Sequence, residues 1–169
     1  NDYRLSTSPW VHNLRLFVQS SGSLLYGVSA LLNRERDAYG SYRFFETNFA
    51  QFVKGEIDYS GLRKLSEGNA FAYHLGLAVA YPYGNSQYVP VDLRYFAGGA
   101  NSLRGWSARS LGPGSMPRSE SQSIFDQVGD IKLEMNAEYR MKILGPLQLA
   151  LFADAGNIWT IRAYQNQPQ

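Results

Sequence analysis

The strictest pattern in the chain is the alternation over residues 130–141, and it limits the possible folds more than any other feature. Every odd position carries an apolar side chain and every even position a polar or charged one. A period of two belongs to a β-strand, whose successive side chains point to opposite faces, and not to a helix. The segment is therefore predicted to be a strand with one apolar face and one polar face.

Four further segments show the same period less strictly, and together they predict five strands. The predicted strands span about 10–20, 47–64, 70–83, 130–142 and 147–159, with short turns near 66–69 and 144–146 and long loops at 21–46 and 84–129. Short turns on one rim and long loops on the other are typical of outer-membrane barrels.

The first long loop contains a spacing of its own. Its apolar side chains recur at helical intervals, which predicts a short amphipathic helix; they are Leu24, Leu25, Val28, Leu31 and Leu32.

A soluble β-sandwich also alternates apolar with polar residues, so the period alone does not identify a membrane barrel. Three features favour the barrel: strands longer than the usual five or six residues, charge at the strand centres, and aromatic residues near strand ends. Those aromatics are Tyr73, Tyr81, Tyr83 and Trp159. We predict an all-β fold in which residues 1–169 form one partial domain of an antiparallel up-and-down transmembrane β-barrel.

Composition removes several classes of function. The chain has no Cys, which excludes disulfides, thiolate metal sites and Cys nucleophiles within it. Its two imidazoles, His12 and His74, fall in strand-like runs, so we expect no metal or catalytic cluster, and a structural role for His74. The charges are scattered, without the Lys/Arg block that binds a phosphate backbone. Neither nucleic acid nor a cofactor is expected.

The glycine-rich stretch 98–105 resembles a phosphate loop only superficially, because it lacks Gly-Lys-Ser/Thr and a following helix. Glu134 and Glu138 would lie about 13 Å apart along one strand, which exceeds the spacing of glycosidase carboxylates. The serines of this loop have no Gly-x-Ser-x-Gly elbow. We predict no catalytic residue.

Arg104 is the charged residue of this loop that invites a specific interpretation. A guanidinium turned into a partly dehydrated lumen needs carboxylates to offset its desolvation. The polar faces of the last two strands offer Glu138 and Asp154, and Phe152 on the same face could add a cation–π contact of about 0.5–2 kcal/mol. The alternative is that Arg104 is an ordinary solvated loop residue and that the two carboxylates are ordinary polar residues facing a water-filled lumen.

A larger block of sequence surrounds this residue. Tyr95-Phe96-Ala97-Gly98-Gly99-Ala100-Asn101-Ser102-Leu103-Arg104-Gly105-Trp106, followed by Leu111-Gly112-Pro113-Gly114, resembles the sixth extracellular loop of the BamA/TamA superfamily of outer-membrane assembly proteins. The resemblance continues through 129–134, 138–140 and 152–159 in the family's order, and so covers residues 95–159. Leu103 and Trp106 depart mildly from the family's commoner Val and Phe or Tyr.

The resemblance implies a non-enzymatic machine that inserts or translocates proteins at the bacterial outer membrane without ATP. Its loop is locked inside the barrel by the arginine, here Arg104, which is held by Glu138, Asp154 and Phe152. Implied partners are outer-membrane lipids, unfolded outer-membrane protein clients, and periplasmic or lipoprotein accessory subunits. Apart from the resemblance, backbone geometry leads us to expect the loop glycines at positive φ or close approaches; they are Gly98, Gly99, Gly105, Gly112 and Gly114. Trp106 belongs to the loop motif, and an interfacial anchor is the alternative interpretation of its side chain.

The resemblance places these strands as the ninth to thirteenth of a barrel of about sixteen. We therefore expect a processed or truncated chain, with the periplasmic POTRA modules and the remaining strands elsewhere. Two other functions stay open. One is a two-partner-secretion transporter for a single dedicated client, and the other is a structural or diffusion-pore barrel.

Overall fold

The computed structural model describes residues 9–38, 40–45, 47–116 and 126–163. Five long strands form one antiparallel sheet in the order β1-β4-β5-β6-β7, and two short strands, β2 and β3, form a separate ribbon. The elements are β1 (Trp10–Ser21), helix α1 (Ser23–Leu31), β2 (Arg43–Phe44), β3 (Thr47–Asn48), β4 (Phe52–Ser66), β5 (Asn69–Pro82), a 3-10 helix (Val91–Leu93), β6 (Ile131–Leu144) and β7 (Leu147–Trp159). The predicted class, an all-β up-and-down barrel segment, is confirmed, and so is the predicted helix.

The strand that begins furthest from its predicted start is β4, which starts at Phe52 and not near residue 47. Thr47 and Asn48 pair with the ribbon strand β2. The backbone of the intervening residues is held by side chains of the next long loop: Asn85 Nδ2 donates to Phe49 O at 3.0 Å, and Gln51 N donates to Ser86 Oγ at 2.7 Å. Side-chain partners of this kind replace a strand ladder.

The register of the sheet gives it two chemically different faces. Ser60, His74, Asn136 and Asp154 lie opposite one another across β4, β5, β6 and β7. We call this side the inner face. The other side, the outer face, carries most of the apolar side chains of the long strands. The period of two therefore produces a largely apolar outer surface and an inner surface with polar side chains at its centre.

The outer face leaves its apolar side chains in the open. Exposed members include Leu14, Leu16, Val18, Ile57, Leu75, Leu77, Met135, Leu149 and Leu151. An apolar surface of this extent is too large for an ordinary soluble monomer and fits contact with lipid. Near the short turns, the same face carries an aromatic cluster in which the Trp10 indole donates to Tyr73 Oη at 3.2 Å and the Tyr59 and Tyr73 rings lie 5.6 Å apart.

Helices contribute little to this architecture. No helix among the described residues is long and apolar enough to cross a membrane.

The core lies between the inner face and the loop that connects β5 to β6. One buried cluster joins Phe52, Ala80 and Val89, and a second joins Ala97, Leu103 and Ile158. Small residues make this possible. A Cβ on Gly156 would lie 2.4 Å from Leu133 O of β6 and 3.3 Å from Leu103 Cδ1 of the loop, so a side chain there would clash with the neighbouring strand and crowd the loop.

Candidate functional site around Arg104

The loop that carries Arg104 folds back along the inner face and bonds to itself. Tyr95 and Gly129 exchange backbone hydrogen bonds of 2.9 and 2.7 Å, which hold the two ends of the loop together. At its tip, Gly99 N donates to Trp106 O at 2.8 Å and Trp106 N donates to Leu103 O at 3.1 Å. The tip is therefore a closed turn, and Arg104 projects from it towards the sheet.

Arg104 contacts Asp154 of β7 through three donors. Its backbone N donates to Oδ2 at 3.0 Å, Nε donates to the same oxygen at 2.8 Å, and Nη2 donates to Oδ1 at 2.7 Å. Nη1 donates to Glu138 of β6. The Phe152 ring centroid lies 3.9 Å from the guanidinium carbon. The structure thus brings together the arginine, the two carboxylates and the aromatic ring that the sequence singled out.

The charges of this cluster are paired with one another and largely shielded from solvent. Only 7% of the Asp154 side chain and 26% of the Arg104 side chain are exposed. Hydrogen bonds to Asp154 and then to Glu138 raise the pKa of Arg104 above its usual value, so the guanidinium stays charged at any physiological pH. The guanidinium makes a bidentate contact with Asp154 and a further hydrogen bond to Glu138. These charge-assisted hydrogen bonds offset the desolvation of a partly buried arginine.

A second layer of polar residues supports the cluster. Asn136 Nδ2 donates to Asp154 Oδ1 at 2.9 Å and to the backbone oxygen of Ser102 at 2.7 Å. Its Oδ1 lies 2.8 Å from His74 Nδ1, and His74 Nε2 lies 2.9 Å from Asp58 Oδ2. The network therefore runs from the loop tip across β7, β6 and β5 to β4.

Sequence reasoning missed the role of Asn136. Its place on the polar face followed from the alternation, but the residues that it joins are set by the strand register. His74, for which a structural role was expected, lies between Asn136 and Asp58 and contacts both. Ser102 was also missed: it accepts from Gly98 N at 3.1 Å and donates to Glu134.

The two remaining positions of the tetrapeptide differ in burial. Leu103 is buried against Ala97 and Ile158 and fixes the loop to the sheet. Trp106 is half exposed and lines a cavity of about 470 Å³ together with Leu103, Phe152 and Asp154. Because these neighbours lie on the inner side of the sheet, the interpretation of Trp106 as an anchor at the lipid boundary is wrong.

The loop glycines do not all serve the same purpose. Gly98 has φ +95°, and a Cβ there would lie 2.2 Å from Ser107 O, so only glycine fits. Gly105 does not have a positive φ, and a Cβ added there would meet no atom within 4 Å, so the expectation of a conformational role was wrong for this residue. Positive φ was expected and is found at Gly99, Gly112 and Gly114.

The Gly-Pro-Gly segment is attached to the end of β7. Gly114 N donates to Ile158 O at 2.8 Å, and Asn157 Nδ2 donates to Gly114 O at 2.8 Å. Pro113 between the two glycines is buried. These contacts give the loop a second attachment to β7, separate from Arg104.

A buried ion pair holds the base of the same loop. Arg94 Nε donates to Asp130 Oδ1 at 3.0 Å, and Ile161 N donates to Oδ2 of the same carboxylate at 3.0 Å. The alternation placed Asp130 at the start of a strand on a wet face. It lies just before β6 and is fully buried, because the loop and the chain after β7 both cover it.

Comparison with known proteins places this arrangement in a family. A profile described as the Omp85 superfamily domain matches residues 36–168, which include the loop and strands β4 to β7. The chain belongs to the Omp85 superfamily. It is also similar to the outer membrane protein assembly factor BamA of Neisseria meningitidis serogroup B, with 26% identity over 102 residues that cover 53% of this chain and 12% of that protein.

Membership of the Omp85 superfamily confirms the BamA/TamA-type resemblance. The chain is accordingly a segment of an integral β-barrel protein of the bacterial outer membrane. This agrees with the exposed apolar outer face. The aligned region is 12% of that BamA protein, so the similarity alone does not assign the activity of the whole protein to this chain. Within the part of the chain that the structure describes, no group of acidic or imidazole side chains is arranged to hold a metal ion.

Proposed function

We propose that residues 1–169 form part of the barrel domain of a factor that assembles, inserts or translocates proteins at the outer membrane. Membership of the Omp85 superfamily and the similarity to BamA support this function. The proposed partners are unfolded outer-membrane proteins as clients, membrane lipids, and periplasmic or lipoprotein accessory subunits. The proposed activity is non-catalytic and requires no cofactor, since membrane insertion can draw on the burial of apolar client surface.

The observation that carries the mechanism is the position of Arg104 between two neighbouring strands. One guanidinium bonds to Glu138 of β6 and to Asp154 of β7, while its backbone N bonds to Asp154 as well. We propose that this contact braces the barrel wall around the inward loop. A rigid wall on this side would let strands elsewhere in the barrel separate and pair with a client strand while the lumen stays filled.

The experiment replaces the brace in the full-length protein by Arg104→Ala, Asp154→Asn and the double variant. Removing one partner of such a pair leaves a desolvated charge, so we expect a loss of about 3 kcal/mol in barrel stability and a parallel loss of client assembly. The double variant should be less destabilised than the sum of the two single ones, because both remove the same interaction. Samples are heated to a series of temperatures and then separated on gels that are run cold. Stability is measured as the temperature at which the band of the folded protein disappears. Assembly is measured as the amount of folded clients in the membrane.

The matched control is Arg43→Ala, which removes an exposed arginine of the ribbon strand β2. Unchanged stability and assembly in Arg104→Ala would disprove the brace. A stability loss with normal client assembly would leave Arg104 a structural residue of a passive barrel. A defect confined to one secreted protein would instead favour a dedicated transporter.

A further inference from the structure

Helix α1 in the first long loop presents an apolar stripe to its surroundings. Ser23–Leu31 contains no charged residue. Leu24 and Leu31 are 86% and 84% exposed, and Val28 and Leu32 are exposed as well. Spacings of four and three residues place these side chains on one side of the helix. A helix on a soluble domain turns such a stripe towards the core, and α1 does the reverse.

The opposite side of α1 is fixed to the protein. Ser29 is buried, and the Tyr26 ring packs edge-on against Tyr42 at 5.2 Å between centroids. At the start of the helix, Ser23 Oγ lies 2.6 Å from both Ser20 Oγ and Tyr83 Oη. The orientation of the helix is thus determined by its contacts, and the stripe points away from them.

These contacts also show on which side of the sheet α1 begins. In β1, Ser20 shares the outer face with Leu16 and Val18 by the alternation of the strand. Tyr83 follows β5 and continues the outer-face series that includes Tyr81. Because Ser23 bonds to both Ser20 and Tyr83, the helix starts on the lipid-facing side of the rim, next to the exposed apolar surface of β1.

The height of α1 matches the edge of the membrane. The aromatic cluster at the short-turn rim includes Trp10 and marks one interface. Ser20 lies ten residues further along β1, about 33 Å at the usual strand rise. At a tilt of about 40° this is about 25 Å along the membrane normal, which equals the height of the apolar band of such barrels. Helix α1 therefore begins where the hydrocarbon ends.

We propose that α1 is an interfacial helix whose stripe of Leu24, Val28, Leu31 and Leu32 enters the acyl-chain boundary of the outer leaflet. The occupant of the stripe is lipid, because the stripe continues the lipid-facing surface of β1 and carries no charge to repel it. Gly22 at the preceding bend fixes this geometry, since it has φ +75° and a Cβ there would lie 2.3 Å from Ala50 O. The loop would thereby hold the extracellular rim at a defined depth.

The test measures lipid contact directly. The chain has no Cys, so a single fluorophore can be attached at Leu31→Cys in the full-length protein, with any cysteines elsewhere replaced. The labelled protein is reconstituted in phosphatidylcholine vesicles with brominated acyl chains, which quench only at the lipid. Leu16→Cys on the outer face is the lipid reference, and Asp92→Cys, at an exposed position of the 3-10 helix, is the water reference.

We expect brominated lipid to quench the label at Leu31 nearly as strongly as the label at Leu16, and aqueous iodide to quench only the label at Asp92. Iodide quenching at Leu31 equal to that at Asp92 would overturn the proposal. So would protection from both quenchers, which would mean that protein covers the stripe, for example a second copy of this chain. If Leu31→Cys fails to insert, Leu24→Cys on the same stripe gives the same decision.

Discussion

Arg104 uses both its side chain and its backbone N to contact Asp154, and its remaining amino group reaches Glu138. This combination depends on the planar fork of a guanidinium, which presents two parallel donors to one carboxylate and leaves a third donor for a second carboxylate. The Phe152 ring covers the flat side of the same group. Arg104 is therefore held by the planar geometry of its hydrogen bonds and by stacking on Phe152, in addition to its charge.

Arg104→Lys separates these two contributions. A lysine keeps the positive charge but offers a single ammonium group, which cannot bond both carboxylates in the plane or stack on Phe152. We expect barrel stability to fall by about 2 kcal/mol, between wild type and Arg104→Ala. Urea unfolding in lipid vesicles measures this change. Arg43→Lys on the exposed ribbon should leave stability unchanged. If Arg104→Lys matched wild type, charge alone would explain the brace.

At this scale, part of the site could be predicted from the sequence and part could not. Glu138 and Asp154 were found because alternation fixes the face on which each strand residue lies. The contact between Asn136 and His74 was not predicted, because contacts between strands depend on the register. The register includes irregularities between Lys64 and Ser66 and between Lys142 and Leu144 that no local pattern announces.

At the scale of elements, the described part of the loop between β5 and β6 is attached to the rest of the structure along its length. The attachments include the Arg94–Asp130 pair at its base, the Arg104 cluster at its tip and the Gly-Pro-Gly segment on β7. The tight turn at the tip also requires backbone conformations that most residues avoid. Glycines within one short motif therefore differ in how much stability would be lost on substitution, as their φ angles and nearest atoms indicate.

Gly98→Ala and Gly105→Ala form a matched pair of substitutions within one loop. At Gly98, the positive φ and the contact with Ser107 O make a side chain strained, so we expect destabilisation of more than about 1 kcal/mol. At Gly105, no atom lies within 4 Å of the added carbon, and stability should be unchanged within about 0.5 kcal/mol. Urea midpoints of the two variants measure the difference.

Equal effects of the two alanines on stability would contradict these separate roles of the two glycines. A loss of client assembly in Gly105→Ala at normal stability would have a different meaning. It would point to a surface of the turn that contacts clients or accessory subunits, because the residue has no conformational role of its own.

The strands were more predictable than the loops for a physical reason. Each strand buries or exposes whole faces, so its side-chain period is recorded in the sequence over ten or more residues. The start of β4 was misplaced because side chains of Asn85 and Ser86, far away in the chain, bond to the backbone groups Phe49 O and Gln51 N. Such competition between local and distant hydrogen bonds has no periodic signal.

At the scale of the whole molecule, the sheet has two open edges, because among the described residues β1 and β7 each pair on one side only. Unpaired edges next to a lipid-facing surface are unstable. We propose that further strands of an Omp85 barrel pair with both edges and complete the barrel. The five long strands of this segment would then supply the wall that holds the inward loop, and strands outside it would supply the part that opens.

The assignment of the two faces can be tested on adjacent residues of β1. Leu16 lies on the outer face and Phe17 on the inner face beside Glu56, and both side chains are exposed. In a water-soluble sheet, arginine would be tolerated at both positions. In a membrane barrel, Leu16→Arg should cost about 2–4 kcal/mol because the charge would lie in hydrocarbon. Phe17→Arg would face a wet lumen near a carboxylate and should cost much less. Folding yields and urea midpoints in lipid vesicles measure both, and equal costs would mean that the outer face does not contact lipid.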